Sequence, residues 1–265
     1  MYRFEYQAPE SIEAALAALR ENDESKIVAG GMTLLPTMKL RLARPEVLID
    51  INRIGSLAGI EENEGAILIG AMTRHADVAA SKLVRNSIPG LADLAESIGD
   101  PQVRNRGTIG GSVANNDPAA DYPAGLVGLG ATVVTDRREI AADDFFIGMF
   151  ETALEEDEII TSVRFPIPIR AAYMKFPNPA SRYAIVGVMV AEAPDGIRVA
   201  VTGAGSCVFR VAAMEEAIGK DFSPESLASI EVDGAHFNED IHANAEFRAH
   251  LVKVLARRAV AAVSK

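Results

Sequence analysis

Residues 26–40, KIVAGGMTLLPTMKL, join a short apolar run to two adjacent glycines and then to the start of a helical pattern. Gly30 and Gly31 can adopt positive φ angles, and without Cβ atoms they let another group come close to the main chain. N–H groups freed at such a bend, followed by the positive end of a helix, are typical of an anion site. The segment predicts a strand, an anion-holding turn and a helix.

A second glycine pair lies in residues 104–124, RNRGTIGGSVANNDPAADYPA. Gly110 and Gly111 are flanked by Thr108 and Ser112, whose hydroxyl groups can donate hydrogen bonds. Two such loops, far apart in sequence, can face each other across one ligand, and the two phosphates of a dinucleotide suit that arrangement. The chain has neither a GxGxxG after its first strand nor a GxxxxGK[ST], so neither the Rossmann nor the P-loop solution applies.

Composition restricts the class of protein. The chain has 265 residues, 49% of them hydrophobic, which is enough for one large domain or two modest ones. Its net charge of −11 disfavours binding to nucleic acid, and no apolar run is long enough to span a membrane. Cys207 is the single cysteine, so this chain can form no internal disulfide and hold no iron–sulfur cluster alone. We expect a cytoplasmic protein without a signal peptide.

Apolar periodicity predicts that helices and strands alternate over roughly the first 165 residues. The spacing of Ile12, Ala15 and Leu19 predicts a helix with Ser11 as its N-cap, and a second helix is predicted at 87–98. The predicted strands are residues 26–29, 47–51, 66–70 and 131–135.

Prolines mark the predicted domain boundary. Pro166 and Pro168, in the segment VRFPIPIR, disfavour regular structure there. Beyond them, residues 183–193 and 196–205 predict a hairpin of two strands, and residues 243–263 predict an amphipathic helix.

Both glycine loops, with the segments DDFFIGMFETALEEDEIITSVRFP and FRAHLVKVLARRAV, resemble the FAD-binding medium subunits of the molybdenum hydroxylases, the family of carbon monoxide dehydrogenase and xanthine dehydrogenase. The resemblance covers essentially the whole chain. It implies an α+β fold: a two-lobed FAD-binding domain of the PCMH/vanillyl-alcohol-oxidase-like type at residues 1–168, with lobes at about 1–56 and 57–168. A small C-terminal α+β domain, residues 169–265, would follow, built on a three-stranded antiparallel sheet and helices.

The resemblance also implies which residues bind FAD. The two loops would hold the pyrophosphate through residues Ile27, Val28, Ala29, Gly30, Gly31, Met32, Thr33 and Leu34 and through Thr108, Ile109, Gly110, Gly111 and Ser112. Four more positions would line the flavin pocket: Asp121, Ile160, Lys175 and Tyr183. From the residues alone, Asp121 could equally cap a helix, Lys175 could be a solvated strand-end lysine, and Tyr183 could be core packing.

The implied function is electron transfer. A large molybdenum-cofactor subunit and a small iron–sulfur subunit would be the partners, in a dimer of heterotrimers, and FAD would pass electrons to an external acceptor. We predict no catalytic residue and no metal ligand in this chain. A free-standing FAD-dependent oxidoreductase or diaphorase and a non-redox nucleotide-binding protein remain alternatives. The sequence specifies neither the substrate nor the electron acceptor.

Overall fold

The computed structural model describes residues 1–264, which form an α+β fold as predicted. The first sheet is parallel and has the strand order β1-β3-β2. Its strands are Glu5–Gln7 (β1), Ser25–Val28 (β2) and Val47–Asp50 (β3). We call it the parallel sheet.

A five-stranded antiparallel sheet, the central sheet, has the order β4-β5-β10-β6-β7. Its strands are Ile60–Asn63 (β4), Ala66–Gly70 (β5), Thr132–Thr135 (β6), Glu139–Ala141 (β7) and Ile160–Pro166 (β10). A small hairpin between β7 and β10 pairs Phe146–Gly148 (β8) with Glu151–Thr152 (β9). Strand β10 is the last segment before the predicted boundary, and it lies in the middle of the central sheet, between β5 and β6.

The C-terminal sheet is antiparallel with the order β11-β12-β13-β14. Its strands are Arg170–Pro177 (β11), Ala184–Ala193 (β12), Gly196–Thr202 (β13) and Phe209–Arg210 (β14). The predicted hairpin is present, with Ala193 opposite Gly196. The sheet has the three expected strands and one more, the two-residue strand β14 at its edge.

Helices cover the sheets and carry the loops between them. They are Ile12–Glu21 (α1), Leu34–Lys39 (α2), His75–Ala80 (α3), Lys82–Ser87 (α4), Pro89–Glu96 (α5), Pro101–Arg104 (α6), Ile109–Asn115 (α7), Tyr122–Gly128 (α8), Ala142–Phe145 (α9), Ala212–Lys220 (α10) and Ala245–Val263 (α11). Ser11 caps α1 as predicted, its hydroxyl accepting the N–H of Ala14 at 3.2 Å. No helix in residues 1–264 is both long enough and apolar enough to cross a membrane.

The C-terminal sheet packs on both faces, as the alternation along β12 shows. Val188 and Val190 join the core formed with α10 and α11. Met189 and Ala191 join the other core, which also contains residues of α5, α8 and the central sheet. One hydrophobic core therefore extends across the predicted boundary at residue 168, and the division into two domains stays a prediction.

Candidate functional site

A cleft of about 620 Å³ opens where the parallel sheet meets the central sheet. Its size is within the range of small-molecule and cofactor sites. The lining comes from the turn after β2, the loop into α7, the N-terminal end of α8 and the loop between β11 and β12. Elements distant in sequence thus contribute to one concave surface.

The first glycine turn gives the cleft a row of free donors. Strand β2 ends at Val28, and Gly31 has a φ of 72°, a conformation that favours glycine. Within residues 1–264, the main-chain N–H groups from Gly30 to Leu34 have no hydrogen-bond acceptor. Consecutive unpaired N–H groups at a bend form a site for an anion.

Gly30 is required for packing between the two loops, and not for close approach of a ligand as the sequence suggests. A Cβ atom at this position would lie 2.2 Å from the carbonyl oxygen of Arg106 and 2.8 Å from the Cα of Gly107. The main chains of the two loops therefore touch directly. Gly30 lets the loops pack together, and the space for a ligand lies beside this contact.

The second loop differs from the first in its hydrogen bonding. Thr108 caps α7, and its side chain accepts the N–H of Gly111 at 3.2 Å. The N–H groups of Ile109, Gly110 and Ser112 are likewise bonded within the protein, to Thr73, Ala71 and Thr108. The main-chain N–H groups of residues 109–112 are therefore not free to donate to a ligand. The loop supplies a close surface, and the turn at 30–34 supplies the donors.

Asp121 lies at the N-terminal end of α8, but its side chain does not cap the helix. Its carboxylate accepts a hydrogen bond from the Tyr173 hydroxyl at 2.5 Å and lies 2.9 Å from the Lys175 ammonium. Burial raises the pKa of Asp121, while Lys175 and the Tyr173 hydrogen bond oppose that rise. Lys175 also donates to the carbonyl of Ser97 at 3.1 Å. The capping alternative is wrong, and so is the view of Lys175 as a solvated residue.

The mouth of the cleft carries Tyr183, which is 42% exposed. The loop before it is bridged by the Asn178 side chain, which accepts the N–H groups of Ala180 and Ser181 at 2.9 and 3.1 Å. Arg182 has a φ of 62° and also borders the cleft. A half-exposed aromatic ring beside a cation therefore faces whatever occupies the cleft.

The structure brings nearly all the predicted site residues together. All of them border the cleft except Ile109, which is fully buried, and Lys175, which lies behind Asp121. The residues that the sequence did not single out as ligand contacts include His75, Val103, Phe150 and Glu158. His75 follows Thr73 at a helix start, but nothing in the local sequence shows that its ring is buried beside a cleft.

Comparison with known proteins identifies the fold and the family. Residues 2–168 match the family model described as the FAD binding domain in molybdopterin dehydrogenase. The chain belongs to the family of FAD-binding subunits of the molybdenum hydroxylases. It is an oxidoreductase subunit, and its cofactor is FAD.

Two relatives in this family match along nearly their whole length. The chain is 38% identical to the carbon monoxide dehydrogenase medium chain of Hydrogenophaga pseudoflava, with 97% of this chain and 96% of the relative covered. It is also 38% identical to the nicotine 6-hydroxylase medium subunit of Paenarthrobacter nicotinovorans, with 96% and 95% covered. A solved structure of the Hydrogenophaga carbon monoxide dehydrogenase superimposes with a TM-score of 0.89 over 98% of this chain and 97% of that chain.

The cleft fits FAD on its own geometry. The free N–H groups from Gly30 to Leu34 suit a pyrophosphate, because they place several donors around one anion. Apolar residues at one end, Ile98 and Val103 among them, suit a flat aromatic ring. Both chemical requirements of a flavin dinucleotide are met by this cleft.

Proposed function

We propose that this chain is the electron-transfer subunit of a molybdenum hydroxylase, receiving electrons from iron–sulfur clusters of a small partner subunit and passing them through FAD to an external acceptor. The observation that carries the proposal is the row of unpaired N–H groups at 30–34 inside the cleft. When bound, FAD can accept electrons singly and release them in pairs. The chain's own residues bind and orient the cofactor.

The pyrophosphate is held by the turn at residues 27–34, and Thr108, Gly110, Gly111 and Ser112 close over it from the second loop. Because the protein carries a net charge of −11, long-range attraction does not bring this anion in. Short hydrogen bonds to charged oxygens, each contributing about 1.5–3 kcal/mol, hold it. Ile160 borders the same cleft, at the start of β10.

The flavin ring occupies the end of the cleft that contains Asp121 and Tyr183. The carboxylate of Asp121 borders the cleft there, and Lys175 is paired with it from behind. Tyr183 covers the mouth. Asp121 therefore accepts a hydrogen bond from a polar edge of the ring, while Lys175 acts through Asp121.

The whole enzyme also contains a large subunit with the molybdenum cofactor, arranged as a dimer of heterotrimers in the cytoplasm. Two relatives at the same 38% identity are named for enzymes that act on carbon monoxide and on nicotine. The substrate is therefore chosen on another subunit. This chain carries the electrons onward to the acceptor, whichever substrate the enzyme oxidises.

Rapid mixing tests the proposal. The small subunit, purified from the complex and reduced, is mixed anaerobically with the FAD-loaded chain. We expect the flavin absorption to bleach while the absorption of the oxidised clusters returns. Failure of electrons to pass would reject the proposal.

The free-standing alternative has its own test. The FAD-loaded chain alone is mixed with NADH under the same conditions. Reduction as fast as that by the small subunit would favour a diaphorase, whereas we expect the isolated chain to be reduced far more slowly.

A further inference from the structure

His75, the first residue of α3, lies buried against the second glycine loop. The main-chain N–H of His75 donates to the main-chain carbonyl of Gly107 at 3.0 Å, and the residue is 5% exposed. A Cβ atom at Gly107 would lie 2.5 Å from the His75 Nε2 atom. The glycine at 107 therefore makes room for the imidazole ring, which borders the cleft.

The two ring nitrogens of His75 have different surroundings. Nδ1 is sealed from solvent and has no hydrogen-bond partner in residues 1–264. Nε2 also makes no hydrogen bond to that part of the chain, but it is not among the sealed atoms, and His75 is one of the residues that line the cleft. Nε2 is thus free to form a hydrogen bond with a donor or an acceptor on a bound ligand.

The protonation of the ring follows from these surroundings. Burial, aided by the nearby charge of Arg104, lowers the pKa of His75 to about 4, so the ring is neutral near pH 7. A sealed N–H without an acceptor is costly. The single proton therefore lies on Nε2, where it can be donated into the cleft.

The neighbours of His75 indicate which part of a ligand it meets. Gly107 also approaches the carbonyl of Val103, and Val103 packs against Gly99. These residues and Ile98 form an apolar wall of the cleft. On its other side, the His75 ring lies 5.4 Å from the ring of Tyr122, which follows Asp121. An apolar wall next to a neutral donor suits a flavin ring or its ribityl chain better than a phosphate.

We infer that His75 is a cofactor-binding residue whose Nε2–H donates a hydrogen bond to the riboflavin half of FAD. The inference rests on the proposed FAD site and adds a contact that none of the glycine-loop residues supplies. Two different parts of the cleft would then bind two different parts of FAD. Main-chain N–H groups at 30–34 hold the pyrophosphate, and one neutral side chain fixes the flavin half.

Calorimetric titration of the full-length chain, freed of flavin, with FAD, riboflavin and ADP tests the inference. For His75→Phe we expect about 10-fold weaker binding of FAD and of riboflavin, the loss of one neutral hydrogen bond. Binding of ADP should be unchanged. Equal weakening of ADP and riboflavin, or no weakening of either, would overturn the inference.

Two rescue variants separate the nitrogens. His75→Gln places an amide N–H near the position of Nε2 and should restore most of the affinity for riboflavin. His75→Asn places its amide near Nδ1 and should behave like His75→Phe. A result in which Asn rescues and Gln does not would reverse the assignment of the two nitrogens and refute the inference.

Tyr122→Phe is the matched control. The Tyr122 hydroxyl is also buried without a partner within residues 1–264, but it does not border the cleft. Its removal should leave the affinity for all three ligands at the wild-type value, and urea unfolding of each variant checks that it is folded. If the wild-type chain binds no FAD, the proposed function fails. If it binds FAD and His75→Phe binds equally well, the role of His75 alone fails.

Discussion

The ammonium of Lys175 lies 2.9 Å from the carboxylate of Asp121, and the two side chains are 5% and 4% exposed. Lys175 belongs to β11 and Asp121 to the start of α8, so a buried ion pair joins the C-terminal sheet to the wall of the cleft. Tyr173, also on β11, supplies a second hydrogen bond to the same carboxylate. The carboxylate charge at the wall of the cleft is thus fixed from β11.

Removing the cation of this pair should be costly. Lys175→Met leaves a buried carboxylate without its charge partner, and we expect the free energy of unfolding to fall by about 3 kcal/mol. Adding Asp121→Asn should recover part of that loss, since the uncompensated charge is then gone. Urea unfolding measures both. Lys220→Met is the control, because the Lys220–Glu216 pair is exposed to solvent and an exposed ion pair contributes little to stability.

Gly30→Ala should destabilise the protein although alanine is small. Its Cβ atom would lie 2.2 Å from the carbonyl oxygen of Arg106, which forces the two loops apart. We expect a loss of about 3 kcal/mol in the free energy of unfolding, together with weaker FAD binding. Gly55→Ala is the matched control, because nothing lies within 4 Å of its Cβ. Equal stability of the two variants would show that the loops adjust freely.

The buried His75 should make the protein less stable in acid. Its pKa is about 4 in the folded protein and 6.5 when exposed, so the unfolded state binds the proton more tightly. The stability that it contributes is present above pH 6.5 and is lost as the pH falls towards 4, by about 3 kcal/mol in total.

His75→Gln removes this titration and provides the comparison. Urea unfolding at pH 7 and at pH 4.5 should show a smaller loss of stability for the variant than for the wild type. Because all other carboxylates and histidines titrate in both proteins, the difference isolates His75. Identical pH profiles would mean that the pKa of His75 is the same in the folded and the unfolded protein.

The turn at 30–34 should recognise a diphosphate. ADP should bind more tightly than AMP by at least about 10-fold, because each further charge-assisted hydrogen bond contributes about 1.5–3 kcal/mol. Competition against FAD in Mg²⁺-free buffer measures the dissociation constants of ADP and of AMP. If AMP competed as well as ADP, the free N–H groups would not be the pyrophosphate site.

Local patterns predicted the regular elements well. The strand at 66–70 was predicted with its observed bounds, and β2 and α11 were predicted to within two residues, because their periodicity is strong. Strand β14 escaped prediction because two residues carry no period. What sequence spacing could not give is the partner of a residue across the fold.

At the candidate site, too, the sequence did not reveal which residues are partners in the fold. Gly30 was assigned to a ligand, whereas its nearest neighbour is the carbonyl of Arg106, distant in the chain. Lys175 could be interpreted as solvated until the fold placed it beside Asp121. The importance of His75 depends on which of its two nitrogens is sealed, and only three-dimensional packing decides that.

The contact between Gly30 and Arg106 has an evolutionary consequence. Because main chain packs on main chain there, any side chain at position 30 is opposed even when no nucleotide is bound. A descendant that had abandoned flavin would still be under selection to keep this glycine. The donors at residues 32–34 carry no such constraint, so a glycine that survives at position 30 beside an altered turn would mark a lineage that kept the architecture and lost the cofactor.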